Sequence, residues 1–256
     1  MRSFVIGTAL SSALALAAVT APTAQADEVW GGDTTITNVT VNGGRSIAVG
    51  TSNVVSFPAS VTATDPDGIA IASVYVWHGP SEEDMDMTVP HGSRTCTAVN
   101  STMKTCSVTF TIDPRDLEKN SWAGQWKVAV DAFDKGNGGI SLDAYKYASI
   151  QRYSKLSVNA SPEPVAKGKT ITITGKLTRA NWETHDYRGY TNQPVKLQFR
   201  KAGTDTYKTV KTVYTNSIGN LKTTATASSD GYWRYYFSGT STTATVKAAG
   251  DYVDVR

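Results

Sequence analysis

Two short acidic stretches carry the residue types that hold a hard cation. Asp65-Pro66-Asp67-Gly68 sets two carboxylates two residues apart, and Asp131, Asp134 and Asn137 run into a second stretch that ends in Gly138-Gly139. Calcium takes about six to eight oxygen ligands, mostly carboxylate and carbonyl, from one loop or from neighbouring loops. Calcium is therefore the cofactor to which these five side chains point. Each stretch has a second reading as plain turn text, because Asp-Pro, Asp-Gly and Asn-Gly steps are turn formers. Neither matches the EF-hand pattern of alternating ligands closed by a glutamate. A further acidic run, Glu82, Glu83, Asp84 and Asp86, reads as a solvated loop at the opposite end of its strand.

Other chemistry finds little support. The three histidines, His78, His91 and His185, lie in separate segments with no H-E-x-x-H pair for zinc. No G-x-S-x-G elbow occurs, and no glycine-rich turn leads from a strand into a helix to cradle phosphate. Small β-sandwiches seldom build a deep cleft, so a catalytic carboxylate pair is not expected, and an unrecognised hydrolase ranks last among the readings. The segment Asn181 to Tyr190 holds Trp182, Tyr187, Arg188 and Tyr190 among polar residues that do not read as a strand. Exposed rings there could stack on sugar or join a protein interface; alternatively they cap one end of a sandwich.

Positioning all of these requires strands. Alternating apolar and polar residues recur every ten to fifteen residues, while helical periodicity is almost absent. The runs fall at Thr35 to Val41, Val54 to Thr64, Ala70 to Trp77, Arg94 to Val99, Lys104 to Ile112, Gln125 to Phe133 and Leu142 to Gln151. A second set covers Lys155 to Ala160, Thr170 to Thr178, Val195 to Arg200, Tyr207 to Tyr214, Leu221 to Ala227, Tyr232 to Ser238 and Thr242 to Ala248. Seven short strands in each half predict an all-β chain of two tandem immunoglobulin-like β-sandwiches, spanning 27–152 and 153–256. In that fold the loops carrying Asp65 and Asp134 emerge at the same end. Gly124-Gln125-Trp126-Lys127 and Gly231-Tyr232-Trp233-Arg234 open corresponding strands, a faint repeat that suggests shared topology. Trp126, Trp233, Tyr235 and Phe237 read as core. The boundary at Arg152 to Lys155 is too short for a flexible tether.

Composition adds compartment and charge. Residues 1–26 combine Arg2, an apolar Ala/Leu/Val run and small residues at Ala24 and Ala26, the pattern of a secretory signal peptide cleaved before Asp27. No later run is apolar enough for a transmembrane segment, so an exported, extracellular protein is expected. Cys96 and Cys106, the only cysteines, should pair in an oxidising compartment and staple one hairpin. The first half carries 15 acidic and 9 basic side chains, the second 7 and 15. A basic second half could meet a cell-wall polyanion or carbohydrate through long-range attraction; nucleic acid is not expected.

The stretch from Ser154 through Thr243, together with Thr37-Asn38-Val39-Thr40-Val41-Asn42-Gly43-Gly44 and the Cys96 to Cys106 hairpin, resembles a group of secreted actinomycete two-domain immunoglobulin-like proteins. The resemblance runs over the whole mature chain and implies the same tandem fold. Some members are labelled calcium-binding protein, with no ligand set to carry across. The expectation is a secreted, non-catalytic binding or structural protein with calcium in the first domain. The alternative is a cell-wall or carbohydrate-binding module that uses the basic second domain.

Overall fold

A computed structural model describes residues 28–256. The expected signal peptide lies outside the described residues. In chain order the first half contains β1 (Glu28–Trp30), β2 (Thr35–Val41), β3 (Ile47–Val49), β4 (Val55–Thr64), β5 (Ile69–His78), β6 (Met87–Thr88), β7 (Thr95–Ala98), β8 (Met103–Ile112), β9 (Gly124–Asp134) and β10 (Gly139–Arg152). The second half continues with β11 (Ser154–Leu156), β12 (Asn159–Ser161), β13 (Thr170–Asn181), β14 (Asp186–Gly189), β15 (Pro194–Lys201), β16 (Lys208–Tyr214), β17 (Asn220–Thr226), β18 (Gly231–Phe237), β19 (Val246–Lys247) and β20 (Asp251–Val253).

In the first half β2-β4-β8-β7 form one antiparallel sheet, and β10-β9-β5-β6 form the other. Strand β3 runs parallel to the end of β10, and β1 runs antiparallel to its beginning, so both ends of the β10 edge are covered. The second half repeats the plan. β11 and β12 share β13 with β17, and β16-β15-β18 continue to β19 and β20. This is the immunoglobulin-like arrangement of two packed antiparallel sheets, present twice.

Period-two alternation explains why these strands form. On β9, Trp126, Val128, Val130 and Ala132 are fully buried, while Lys127, Ala129, Asp131 and Phe133 face outward. On β18, Trp233, Tyr235 and Phe237 enter the second core, with the Tyr235 hydroxyl donating to the Ile173 carbonyl at 3.0 Å. Phe57 and Phe110 stack across β4 and β8 at 5.5 Å between centroids. Cys96 and Cys106 stand directly opposite each other on β7 and β8 and form the disulfide.

Three expectations need correction. The run from Lys155 to Ala160, expected as one strand, is divided into β11 and β12, which pair with separate lengths of β13. The stretch expected to be a strand from Thr242 to Ala248 is a continuous strand only over Val246–Lys247. Its first residues instead serve the junction: the Arg152 amide donates to the Thr242 carbonyl, and the Ala244 amide to the Arg152 carbonyl. The polar segment after Thr178 is not a free loop. It is a hairpin in which Thr178 to Asn181 pair with Gly189 to Asp186. Polarity misleads here because the hairpin packs edgewise against the first domain.

Candidate metal centre

The turn at Asp65 is built by its own side chain. The Gly68 amide returns to the Asp65 carbonyl at 2.9 Å, and the Asp67 amide donates to Asp65 Oδ1 at 2.9 Å. Gly68 adopts φ +85°, and a Cβ there would stand 2.5 Å from the Ser101 carbonyl oxygen, so only glycine closes this turn. The second turn is made the same way: the Gly138 amide donates to Asp134 Oδ1 at 3.0 Å. Strands β5 and β9 are neighbours, with Ile69 opposite Asp134. That register brings the two turns together.

Asp65, Asp67 and Asp134 each offer a carboxylate oxygen within 4.8 Å of the other two. Asp65 and Asp134 are only 2% and 7% exposed, whereas Asp67 is open to solvent. The segment between β1 and β2 lies across the pair. Thr34 donates from Oγ1 to Asp65 Oδ2 at 2.7 Å. A Cβ on Gly32 would lie 3.2 Å from Asp134 Oδ2 and 3.6 Å from Asp65 Oδ2. On Gly138, a Cβ would lie 2.5 Å from both Asp134 Oδ2 and the Gly31 carbonyl oxygen. Among the described residues, no lysine or arginine nitrogen comes within 4.0 Å of these three carboxylates. Lys135 follows Asp134 but turns its ammonium toward Gly68.

Two of the five side chains expected at this site stand apart. Asp131 lies on the outer face of β9, accepts a 2.7 Å bond from Ser141 Oγ, and lines a different cavity of about 300 Å³ with Tyr75, Trp77, Glu82 and Asp143. The reason is parity, since residues three apart on a strand point to opposite faces. Asn137 is exposed in the turn after Asp134, and its backbone carbonyl faces Gly31. The expected solvated loop contributes Glu82 to the Asp131 cavity. There partial desolvation, then the charge and hydrogen bonding of Asp143, raise the carboxyl of the exposed Glu82 from its ordinary value. Thr34 and the Gly31-Gly32 strap escaped sequence reasoning, because their proximity depends on β1 crossing to β10.

The aromatic segment is not an open sugar platform. Trp182 is fully buried within the first domain's core cluster, and its indole N–H donates to the Val49 carbonyl at 3.3 Å. Tyr187 is half-buried beneath the Lys155 ammonium, 3.6 Å from the ring centroid, and Tyr190 lies under the Arg179 guanidinium at 3.9 Å. Arg188 is exposed and paired with Asp186 at 2.8 Å. Trp182 and Tyr187 pack on the first domain's core and close the joint between the domains, where Asn120 also accepts from the Trp182 amide and donates to Asn181 Oδ1.

The fold is all-β and immunoglobulin-like. No protein-family model and no curated protein matches the chain. Among solved structures, the I-band fragment I67-I69 from titin is 13% identical at a TM-score of 0.32, covering 82% of this chain, which spans 62% of that fragment. Three N-terminal domains of the bacteriophage RB49 outer capsid protein Hoc match at 13% identity and TM-score 0.32, over 87% of this chain and 70% of theirs. The D00-D0 domain of intimin matches at 15% and 0.28, over 84% and 99%. Likenesses at these scores say nothing of ligand or activity. Among the described residues, no helix is long and apolar enough to cross a membrane.

Proposed function

We propose that this is an exported, non-catalytic binding or structural module in which a calcium ion ties down one end of the first sandwich. The observation that carries the reading is the pair of buried carboxylates, Asp65 and Asp134, with Asp67 beside them and, among the described residues, no basic partner within 4.0 Å. Burying two like charges together is costly unless a counter-charge joins them. The donors are hard oxygens with no histidine or cysteine among them, which fits calcium and not zinc. Asp65, Asp67 and Asp134 would hold the ion. Its charge would join the Asp65 turn, the Asp134 turn and the β1–β2 strap.

Thermal unfolding of the full chain tests this. Extracellular calcium modules bind at about 10⁻⁴ to 10⁻³ M. Ligand at about 100 times its Kd stabilises by about 2.7 kcal/mol, which for a domain of this size raises Tm by roughly 5 to 10 °C. Calcium at 10 mM should produce a shift of that order and magnesium a much smaller one. Equal shifts with both ions, or none with either, overturn the reading.

A further inference from the structure

The second domain carries a charged surface away from the ion site. On the outer face of the β16-β15-β18 sheet, cross-strand partners form rows. Lys196 faces Tyr236, which faces Lys247; Gln198 faces Arg234; Arg200 faces Tyr232, which faces Tyr252. Period-two geometry puts Tyr232, Arg234 and Tyr236 on this face because Trp233, Tyr235 and Phe237 fill the core. None of Lys196, Arg200, Arg234 and Lys247 has a carboxylate within 4.0 Å among the described residues. The acids closest to the face are at its rim, Asp205 near Arg200, and Asp230 and Asp254 near Tyr252.

We propose that this face binds an extended anionic glycan. The cations are held over tyrosine rings. Tyr207 lies under Arg234 at 3.6 Å and Arg200 at 5.3 Å, Tyr232 under Arg200 at 4.1 Å, and Tyr236 between Lys196 at 5.7 Å and Lys247 at 5.5 Å. The rings thus preorganise the cations without neutralising them. Arg234 donates only from Nε, to Gln198 Oε1 at 2.9 Å, and the Lys196 and Lys247 ammoniums make no hydrogen bond to the described residues. Their remaining donors face solvent, ready for carboxylate or sulfate. Nucleic acid fits less well, since single strands are held by bases stacking on free ring faces, and here a cation already lies over each of Tyr207, Tyr232 and Tyr236. Thr209 and Thr212, opposite Gln198 and Lys196, add neutral hydroxyls that suit a sugar backbone. The surface does not depend on the calcium reading, and the test below needs no calcium.

Fluorescently labelled polygalacturonate is the probe, titrated into the full chain in chelator, with neutral dextran and an oligothymidylate as comparisons. The expected result is binding of polygalacturonate that weakens at least tenfold from 50 to 300 mM salt, no binding of dextran, and weaker binding of the oligothymidylate. The Lys196→Gln/Lys247→Gln variant alters two exposed side chains and should bind at least tenfold more weakly with an unchanged melting profile. Lys167→Gln/Lys169→Gln, of equal charge but off this face, should retain binding within twofold. If the first variant folds poorly, Lys196→Gln alone carries the comparison. Absence of polygalacturonate binding, equal loss in both double variants, or tighter binding of the oligothymidylate overturns the proposal.

Discussion

Asp65 and Asp134 are two buried carboxylates side by side, so a change in one alters the cost of burying the other. Asp134→Asn keeps a side-chain oxygen for the Gly138 amide but removes one of two adjacent buried carboxylates. In chelator this variant should therefore be more stable than the parent, by about 1 kcal/mol. In 10 mM calcium the order should reverse, as read by urea midpoints in the two buffers. Glu82 gives a separate, pH-dependent expectation. Its carboxyl is raised by partial desolvation and by Asp143, so the folded state holds that proton more tightly than the unfolded chain. That contribution is fully present below the ordinary carboxylate value and is lost as pH rises through the raised value of the folded state. Glu82→Gln should accordingly be the more stable form at pH 7 and indistinguishable from the parent near pH 3, by urea midpoint. Asp65, Asp67 and Asp134 were readable from sequence because short polar turns announce themselves. Asp131 was readable too, had strand parity been applied to the three-residue step from Asp134. Thr34 was not, since nothing local marks a threonine that reaches a turn thirty-one positions away.

At the scale of elements the joint is the feature that sequence pattern hides. β10 passes into β11 through Tyr153, whose amide donates to the Val49 carbonyl and whose carbonyl accepts from Ala180. Arg152 is buried there, donates from Nε to the Ala180 carbonyl, and is pushed down to about 10 by burial and by the neighbouring Arg179 charge. The β13–β14 hairpin delivers Trp182 into the first core. A tryptophan in a polar segment reads as exposed when its apolar partners belong to another domain, which explains why the short boundary was legible and the interlock was not. Trp182→Ala should cost about 3 to 5 kcal/mol and split a single calorimetric unfolding transition into two. One unchanged transition would show that the domains unfold together for another reason. The regular strands were legible because burial on one face enforces alternation. β1, β3 and β14 were not, being three or four residues long and dependent on a partner edge. The β7–β8 disulfide closes a short hairpin, and Cys96→Ala/Cys106→Ala should lower stability by about 2 to 3 kcal/mol, measured by chemical denaturation.

At the scale of the molecule, two sandwiches of opposite charge are joined by a backbone-sealed interface. The acidic first half holds the carboxylate cluster, and the basic second half displays its cations on the outer sheet face. Charge asymmetry between the halves was evident from composition; the sheet that gathers the cations was not, because lysines and arginines spread along the chain meet only through cross-strand pairing. The proposal that calcium ties down the first half is tested most directly by calorimetric titration of calcium into the full chain and into Asp65→Asn/Asp134→Asn. The account predicts one ion per chain for the parent and none for the variant. Equal uptake by both proteins, or no uptake by either, would contradict it.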